Sequence, residues 1–280
     1  MAETRIPNIG NDEASLLIDY THGHADAVLR SHRWRTAANS AGYLRPELRP
    51  GRSLLDVGCG PGTLTTDLAH LVAPGEVLGI DPSADVIAEA QQHAANVGSA
   101  ARFEVGDLES LAATTDARFD IVHAHQVLQH VHDPAATLRA MRSLTADGGV
   151  VAARDADYSA MFWWPREPAL GRWLEIYRAV TRHNRAECDA GRQLLHWARQ
   201  AGSTEVTFTT STWTYASPDD VRWWADLWAD RITTTRLGEQ ATDLGLADAG
   251  ELAELAAGWR YWATHPDAVF VVPHGEIVCR

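Results

Sequence analysis

Between Ser53 and Thr63 the chain reads Ser-Leu-Leu-Asp-Val-Gly-Cys-Gly-Pro-Gly-Thr. A short apolar run ends in Gly58, Gly60 and Gly62, one glycine at every second position, and a helix-forming segment follows from Thr63. This is the pattern of a β-strand feeding a tight turn into a helix, with the turn stripped of Cβ atoms so that a ligand can lie against its backbone. Dinucleotide-binding folds use a similar device. Asp56 separates the readings, because a carboxylate at the mouth of the turn repels a pyrophosphate and suits a cationic ligand.

The same alternation continues along the chain. Strand-like runs occupy Leu54–Val57, Val77–Ile80, Ala101–Val105, Ile121–Ala124 and Gly149–Ala153. Amphipathic segments lie between them, among them Leu64–Val72 and Ala84–Val97, the second opened by Ser83 as an N-cap. Pro134 begins another helix, with Leu138, Met141 and Leu144 on one side. Such β-α-β alternation predicts a doubly wound, mostly parallel sheet whose ligand site lies beyond the carboxyl ends of its strands. Later segments change character. Trp163–Ala201 reads as mostly helical, Thr204–Thr212 as a strand, Pro218 to His265 as helical, and Ala268–Val278 as a last strand. Pro273 and Gly275 suggest a bend and an edge position for that strand. The expected organisation is a helical lid over 1–50, a ligand-binding core over 51–155, and helical cap insertions with the last two strands over 156–280, completing a seven-stranded sheet.

Composition narrows the function. The 280 residues carry a formal charge of −13, which argues against nucleic acid or an anionic membrane as partner. All 24 basic residues are arginine, so lysine Schiff-base chemistry and the lysine-dependent phosphate loop are excluded. Cys59, Cys188 and Cys279 show no C-x-x-C spacing and read as reduced thiols. There is neither a signal-like apolar start nor a run approaching the ~18 residues of a membrane span, so a cytoplasmic protein is expected. Pairing of two copies stays open.

Two further acids fall at strand ends. In Gly79-Ile80-Asp81-Pro82-Ser83, Asp81 stands 19 residues past Gly62, where a carboxylate can accept from both hydroxyls of a ribose. In Val105-Gly106-Asp107-Leu108-Glu109, Asp107 can accept from the exocyclic amine of adenine. Capping a helix or lying in a solvated turn is the alternative for each. As a set, these motifs and Phe119-Asp-Ile-Val-His-Ala-His-Gln-Val-Leu-Gln-His-Val131 resemble class I S-adenosylmethionine-dependent methyltransferases, in the branch of the ubiquinone/menaquinone C-methyltransferases, across roughly residues 50–155. The resemblance implies a Rossmann-like methyltransferase fold with S-adenosylmethionine as cofactor. It places ribose on Asp81, the adenine amine on Asp107, the methionine part on the Gly58–Gly62 backbone, and the reactive methyl group beside His125-Gln126. The expected cofactor set is therefore Asp56, Gly58, Gly60, Gly62, Asp81, Pro82, Gly106, Asp107, Leu108, His125 and Gln126. A nicotinamide-dependent dehydrogenase is disfavoured by the glycine spacing and by Asp56.

Methyl transfer needs alignment, water exclusion and, for some acceptors, a base. Tyr20 and His22, in the segment ahead of Ser31-His-Arg-Trp-Arg35, are candidates on a lid, with solvated histidines as the alternative. His125 and His130 are candidates for lining the site. With His123 and His132 they make four histidines within ten residues, but the spacing matches no metal motif, and no metal is expected. Asp157, in Arg154-Asp-Ala-Asp-Tyr158, is a further candidate at the ligand-facing edge, with helix capping as the alternative. Most of the eleven tryptophans fall after residue 160 and read as cap packing, a few of them as walls of an aromatic pocket. No [DNS]-P-P-[YFW] motif follows the fourth strand, which disfavours methylation of nucleic-acid bases. The expected activity is methylation of a small aromatic molecule in a natural-product pathway, with ring-carbon methylation favoured through the resemblance. The competing reading is a cyclase or regulator that binds the cofactor without transferring methyl.

Overall fold

The structure is a computed structural model and describes residues 26–280. Tyr20 and His22 lie outside the described residues. Five strands run parallel in the order β3-β2-β1-β4-β5: β1 (Leu54–Val57), β2 (Val77–Asp81), β3 (Arg102–Val105), β4 (Phe119–His125) and β5 (Thr145–Ala156). All four residues of β1 are buried, as expected for a strand covered on both faces.

One layer of helices contains α3 (Thr63–Val72) and α4 (Ala84–Val97). Leu64, Leu68 and Val72 of α3 meet Leu54, Ile121 and Val150 of the sheet. Ser83 caps α4 as expected, accepting from the Val86 N–H, and Val86, Ile87, Ala90 and Ala94 are its buried stripe. The opposite layer contains α5 (Leu108–Thr114), α6 (Pro134–Ser143) and α8 (Ala190–Gln200), which cover Leu55, Val57, Val122 and Val151. Trp197 belongs to this layer and not to the cap.

Beyond β5 the sheet has eight strands, where seven were expected. β8 (Val269–Cys279) lies between β5 and β7 (Val206–Tyr215), antiparallel to both. The edge position suggested by Pro273 and Gly275 is therefore wrong, for two physical reasons. The Pro273 carbonyl accepts from Asp157 N just past the end of β5, so the proline sits where one neighbouring strand stops and no ladder N–H is needed. Gly275 permits close helix contact, since a Cβ there would stand 1.9 Å from the Gly191 carbonyl oxygen of α8. The unforeseen strand is β6 (Phe162–Trp164), which pairs with Val269–Val271.

The cap consists of α7 (Pro168–His183), α9 (Pro218–Thr234), α10 (Arg236–Asp243) and α11 (Ala249–Trp262). Its centre is aromatic: Trp173, Trp228, Trp259 and Trp262 are all buried, with the Trp173 ring 4.4 Å from Trp228 and 5.0 Å from Trp259. On the N-terminal side, α1 (Asp26–Arg33) and α2 (Ala37–Ser40) precede the sheet. α1 is tied to the cap by Arg30–Asp230 (2.5 Å) and by Arg231 donating to Ser31 Oγ (2.5 Å).

Candidate active site

The glycine turn folds as its spacing demands. Gly58, Gly60 and Gly62 have φ of +65°, +57° and +79°, a region open to glycine and strained for other residues. A Cβ on Gly62 would also stand 2.8 Å from the Phe103 ring. Gly60 faces the other way. Its missing Cβ has only His32 Nδ1 within 4 Å, at 3.7 Å. Gly106, at the end of β3, likewise meets nothing within 4 Å. Bare backbone thus faces space at two points of the sheet's carboxyl edge, after β1 and after β3.

Asp81 sits between them. Its carboxylate accepts from the Gly60 N–H (3.2 Å) and the Ser83 N–H (3.0 Å), while its backbone carbonyl accepts from Gly106 N (3.1 Å). The acid thereby fixes both flanking turns around itself. Pro82 follows in an exposed position and Leu108 is buried under the edge. Asp107 realises the capping alternative: it accepts from Ser110 N (2.7 Å) and Ser110 Oγ (2.8 Å) at the start of α5. The Ser110 N–H holds its carboxyl below the usual range.

Asp56 departs from its expected role. Instead of facing the mouth of the turn it is buried, with Thr65 Oγ1 donating to it at 2.6 Å and His123 Nδ1 at 2.8 Å. Both carboxylate oxygens are engaged inside the fold, so it braces the turn from below instead of touching a ligand.

At the end of β4, Gln126 takes φ +56°, a left-handed conformation unusual for a side-chain-bearing residue. Its N–H bonds the Arg154 carbonyl (2.7 Å), and its side chain bridges Arg35 Nη2 and His274 Nε2, each at 3.0 Å. His125 is drawn away from the site. It is buried, and its Nε2 accepts from Arg154 (2.9 Å), itself paired with Glu276 (3.2 Å). Burial, then Arg35 and Arg154, hold the imidazole well below its ordinary pKa. It does not line the cleft, contrary to the lining role expected of it. Asp157 is likewise employed elsewhere, in a two-bond pair with Arg192 (2.6 and 2.7 Å) and as the cap of the turn at Ala160.

His130 does line a cleft above these strand ends, together with Arg35, Gln126, Tyr158, Trp213, Trp228 and Arg231. The cleft is closed down to about 20 Å³ of free space. Burial, then Arg35, push the His130 pKa down to about 3, so its ring is neutral and a weak base. Gln129 Nε2 approaches His130 Nε2 at 3.1 Å. His123, His125 and His130 are thus each directed to a different partner.

A family model described as a methyltransferase domain matches residues 48–214. The chain belongs to this methyltransferase family. An uncharacterised methyltransferase of Schizosaccharomyces pombe is 28% identical over 270 residues, covering 93% of this chain and 96% of the yeast protein. A ubiquinone biosynthesis O-methyltransferase of Methylococcus capsulatus is 39% identical over 101 residues, 36% of this chain and 42% of that one. Among solved structures, the phosphoethanolamine N-methyltransferase 2 of Haemonchus contortus, bound to S-adenosylhomocysteine, shares the fold with a TM-score of 0.52 and 16% identity over 90% of this chain and 56% of that one. The YcgJ protein of Bacillus subtilis gives 0.53 and 18%, over 85% of this chain and 97% of that one.

S-adenosylmethionine is the cofactor of this methyltransferase, and the exposed backbone at Gly60 and Gly106 fits it. Once bound, it supplies a methyl group on a positively charged sulfur. The protein then needs only to align the acceptor and keep water out. Among the cleft residues that carried no site assignment from the sequence are two arginines, Arg35 and Arg231. The only signal for Arg231 was an arginine set among apolar positions of one helix, and that emerges once α9 is seen to bury Trp224, Leu227, Trp228 and Ile232 beside it.

Proposed function

We propose that this methyltransferase acts on a small planar aromatic acceptor in a natural-product-type pathway of the cytoplasm. The observation that carries this is the cleft at the end of β4, walled by Trp213, Trp224, Trp228 and Tyr158. Aromatic walls hold a flat ring by burial and stacking while leaving its electron-rich edge available to the methyl group. In this reading Asp81 accepts from the ribose, Asp107 from the adenine amine, and the Gly58–Gly62 backbone carries the methionine part. Gln126 stands beside the methyl, and α1 lifts to admit the acceptor.

Transfer to a ring carbon follows from the resemblance to the quinone-type branch. The ubiquinone-biosynthesis relatives are named for transfer to oxygen, which supports O-methylation as a second reading. The test is incorporation of labelled methyl from S-adenosylmethionine into a panel of phenols, naphthols and indoles, with the methylated atom identified by NMR. A methylated aromatic product is expected. Cofactor binding without transfer to any member would support the non-methylating reading instead.

A further inference from the structure

We propose that the groove between α2 and β7 is a second binding site, which takes a neutral hydroxyl-bearing group, such as a sugar ring, carried by the acceptor. The proposal rests on the aromatic cleft being the acceptor site.

The groove is separate from the cleft and adjoins it. It holds about 400 Å³ of free space, within the range of small-molecule sites, where the cleft holds about 20 Å³. Trp213, near the carboxyl end of β7, lines both. Against it stands Trp34, in the link between α1 and α2, with the two rings edge-to-face at 5.3 Å. This pair of indoles is the partition between the two spaces. A lift of α1 that admits an acceptor also draws Trp34 off Trp213 and joins them.

Two groups in the groove's wall have hydrogen-bonding capacity left over. The Tyr43 hydroxyl, in the turn after α2, is buried and has no hydrogen-bond partner, a state that is rare for such groups. Burial, then the charge of Glu276, hold this phenol well above its ordinary pKa, so it keeps its proton and can donate. Glu276 of β8 lines the same groove and is 3% exposed. Its Oε1 accepts from Ser211 (2.5 Å) and Arg154 (3.2 Å), while among the described residues its Oε2 accepts only from Thr209 (2.8 Å). A carboxylate accepts about four hydrogen bonds, so Oε2 has room for another.

A protonated phenol near a carboxylate selects a group that accepts from the first and donates to the second. A hydroxyl does both at one atom. An ammonium group cannot accept from Tyr43, and a carboxylate meets Glu276 as a like charge. Cations already attend Trp213, with the guanidinium carbons of Arg154 and Arg35 at 5.0 and 5.9 Å from its ring centre. Ser40, Thr212 and Thr214 add hydroxyls to the lining, and Trp34 adds a flat apolar wall. A ring with apolar faces and a hydroxylated rim matches that combination.

Calorimetric titration of the full chain saturated with S-adenosylhomocysteine tests this with 2-naphthol, 2-naphthyl β-glucoside and methyl β-glucoside. The aryl glucoside should bind about tenfold more tightly than the naphthol, the range of one or two neutral hydrogen bonds. Tyr43→Phe removes a hydroxyl with no partner to lose in the fold, and should cut glucoside affinity about two- to tenfold while leaving naphthol unchanged. Gly42→Phe should fill the groove and abolish the advantage, since a Cβ there meets nothing within 4 Å and the backbone is not left-handed. Should that variant not fold, Tyr43→Phe decides. Equal binding of naphthol and its glucoside, or an advantage that survives Tyr43→Phe undiminished, would overturn the groove site and leave the aromatic acceptor standing. Methyl glucoside binding as tightly as the aryl glucoside would overturn the link to the acceptor and leave a site for free sugar. Binding of neither aryl probe would count against the planar acceptor itself, and this proposal would fall with it.

Discussion

The two ends of the sheet's carboxyl edge are built from different materials. From β1 to β3 the edge is backbone and short acids: glycines at positive φ, open space at Gly60 and Gly106, and Asp81 tying two turns together. From β5 to β8 it is side chain, with the indole of Trp213 from β7 and the indoles of Trp224 and Trp228 and the guanidinium of Arg231 from α9. Backbone geometry restricts residue type severely, because few residues tolerate a left-handed turn. Packed side chains restrict volume and polarity far more loosely. The first end therefore suits a ligand common to a large family, and the second suits a ligand that differs from member to member.

Mutation should separate the two ends. Trp259 is fully buried among Trp173, Trp228, Trp262 and Phe270, so Trp259→Ala should lower stability by about 3–5 kcal/mol. Its effect on S-adenosylhomocysteine affinity, measured on the folded fraction, should stay within about twofold, as for independent sites. Urea unfolding and calorimetry check both. A large loss of affinity would mean that cap and cofactor end are one cooperative unit.

Asp81→Ala should do the opposite. Loss of its hydrogen bonds to a ribose is expected to weaken S-adenosylhomocysteine binding about 10- to 100-fold, while release of the Gly60 and Ser83 N–H groups lowers stability by about 1 kcal/mol. Unchanged affinity would remove Asp81 from the ribose.

What could be seen in the sequence follows the same division. β1, β2 and α4 were legible within a residue because local signals defined them: the glycine turn, the strand-end acid and the Ser83 cap. β6 was missed because three residues carry no periodicity, and its pairing partner lies about a hundred residues on, at Val269–Val271. Asp56 was read outward because its partners, Thr65 and His123, come from a helix and a strand that only the fold brings together. For Asp107 the cap to Ser110 was foreseeable from three-residue spacing, and the adenine role is carried by resemblance alone. His125 and Asp157 looked catalytic by position. Arg154 and Arg192, which occupy them, were visible as letters but not as neighbours.

The response to pH sharpens the contrast. At the glycine-turn end Asp107 is held below its ordinary range, so its contribution is present above pH about 4 and lost on further acidification. Around the aromatic cleft the shifts run the other way. Burial holds His125, His130 and His274 neutral, so below pH about 6.5 the unfolded chain takes up protons that the folded one refuses, and stability falls. Asp155 opposes them. Fully buried beneath Gln129, whose N–H it accepts at 3.1 Å, it is raised by that burial to about 7. Between pH about 4 and 7 the folded state therefore keeps a proton that the unfolded state has lost. Its contribution is greatest at the acid end and declines as pH rises, by at most about 1.4 kcal/mol per pH unit. Asp155→Asn should remove that offset, so that urea midpoints fall more steeply than wild type from pH 7 to 5 while lying above wild type near pH 8, where a buried charge has been deleted. Parallel curves for the two proteins would mean that Asp155 is ionised throughout, and that the cleft's histidines alone set its response to acid.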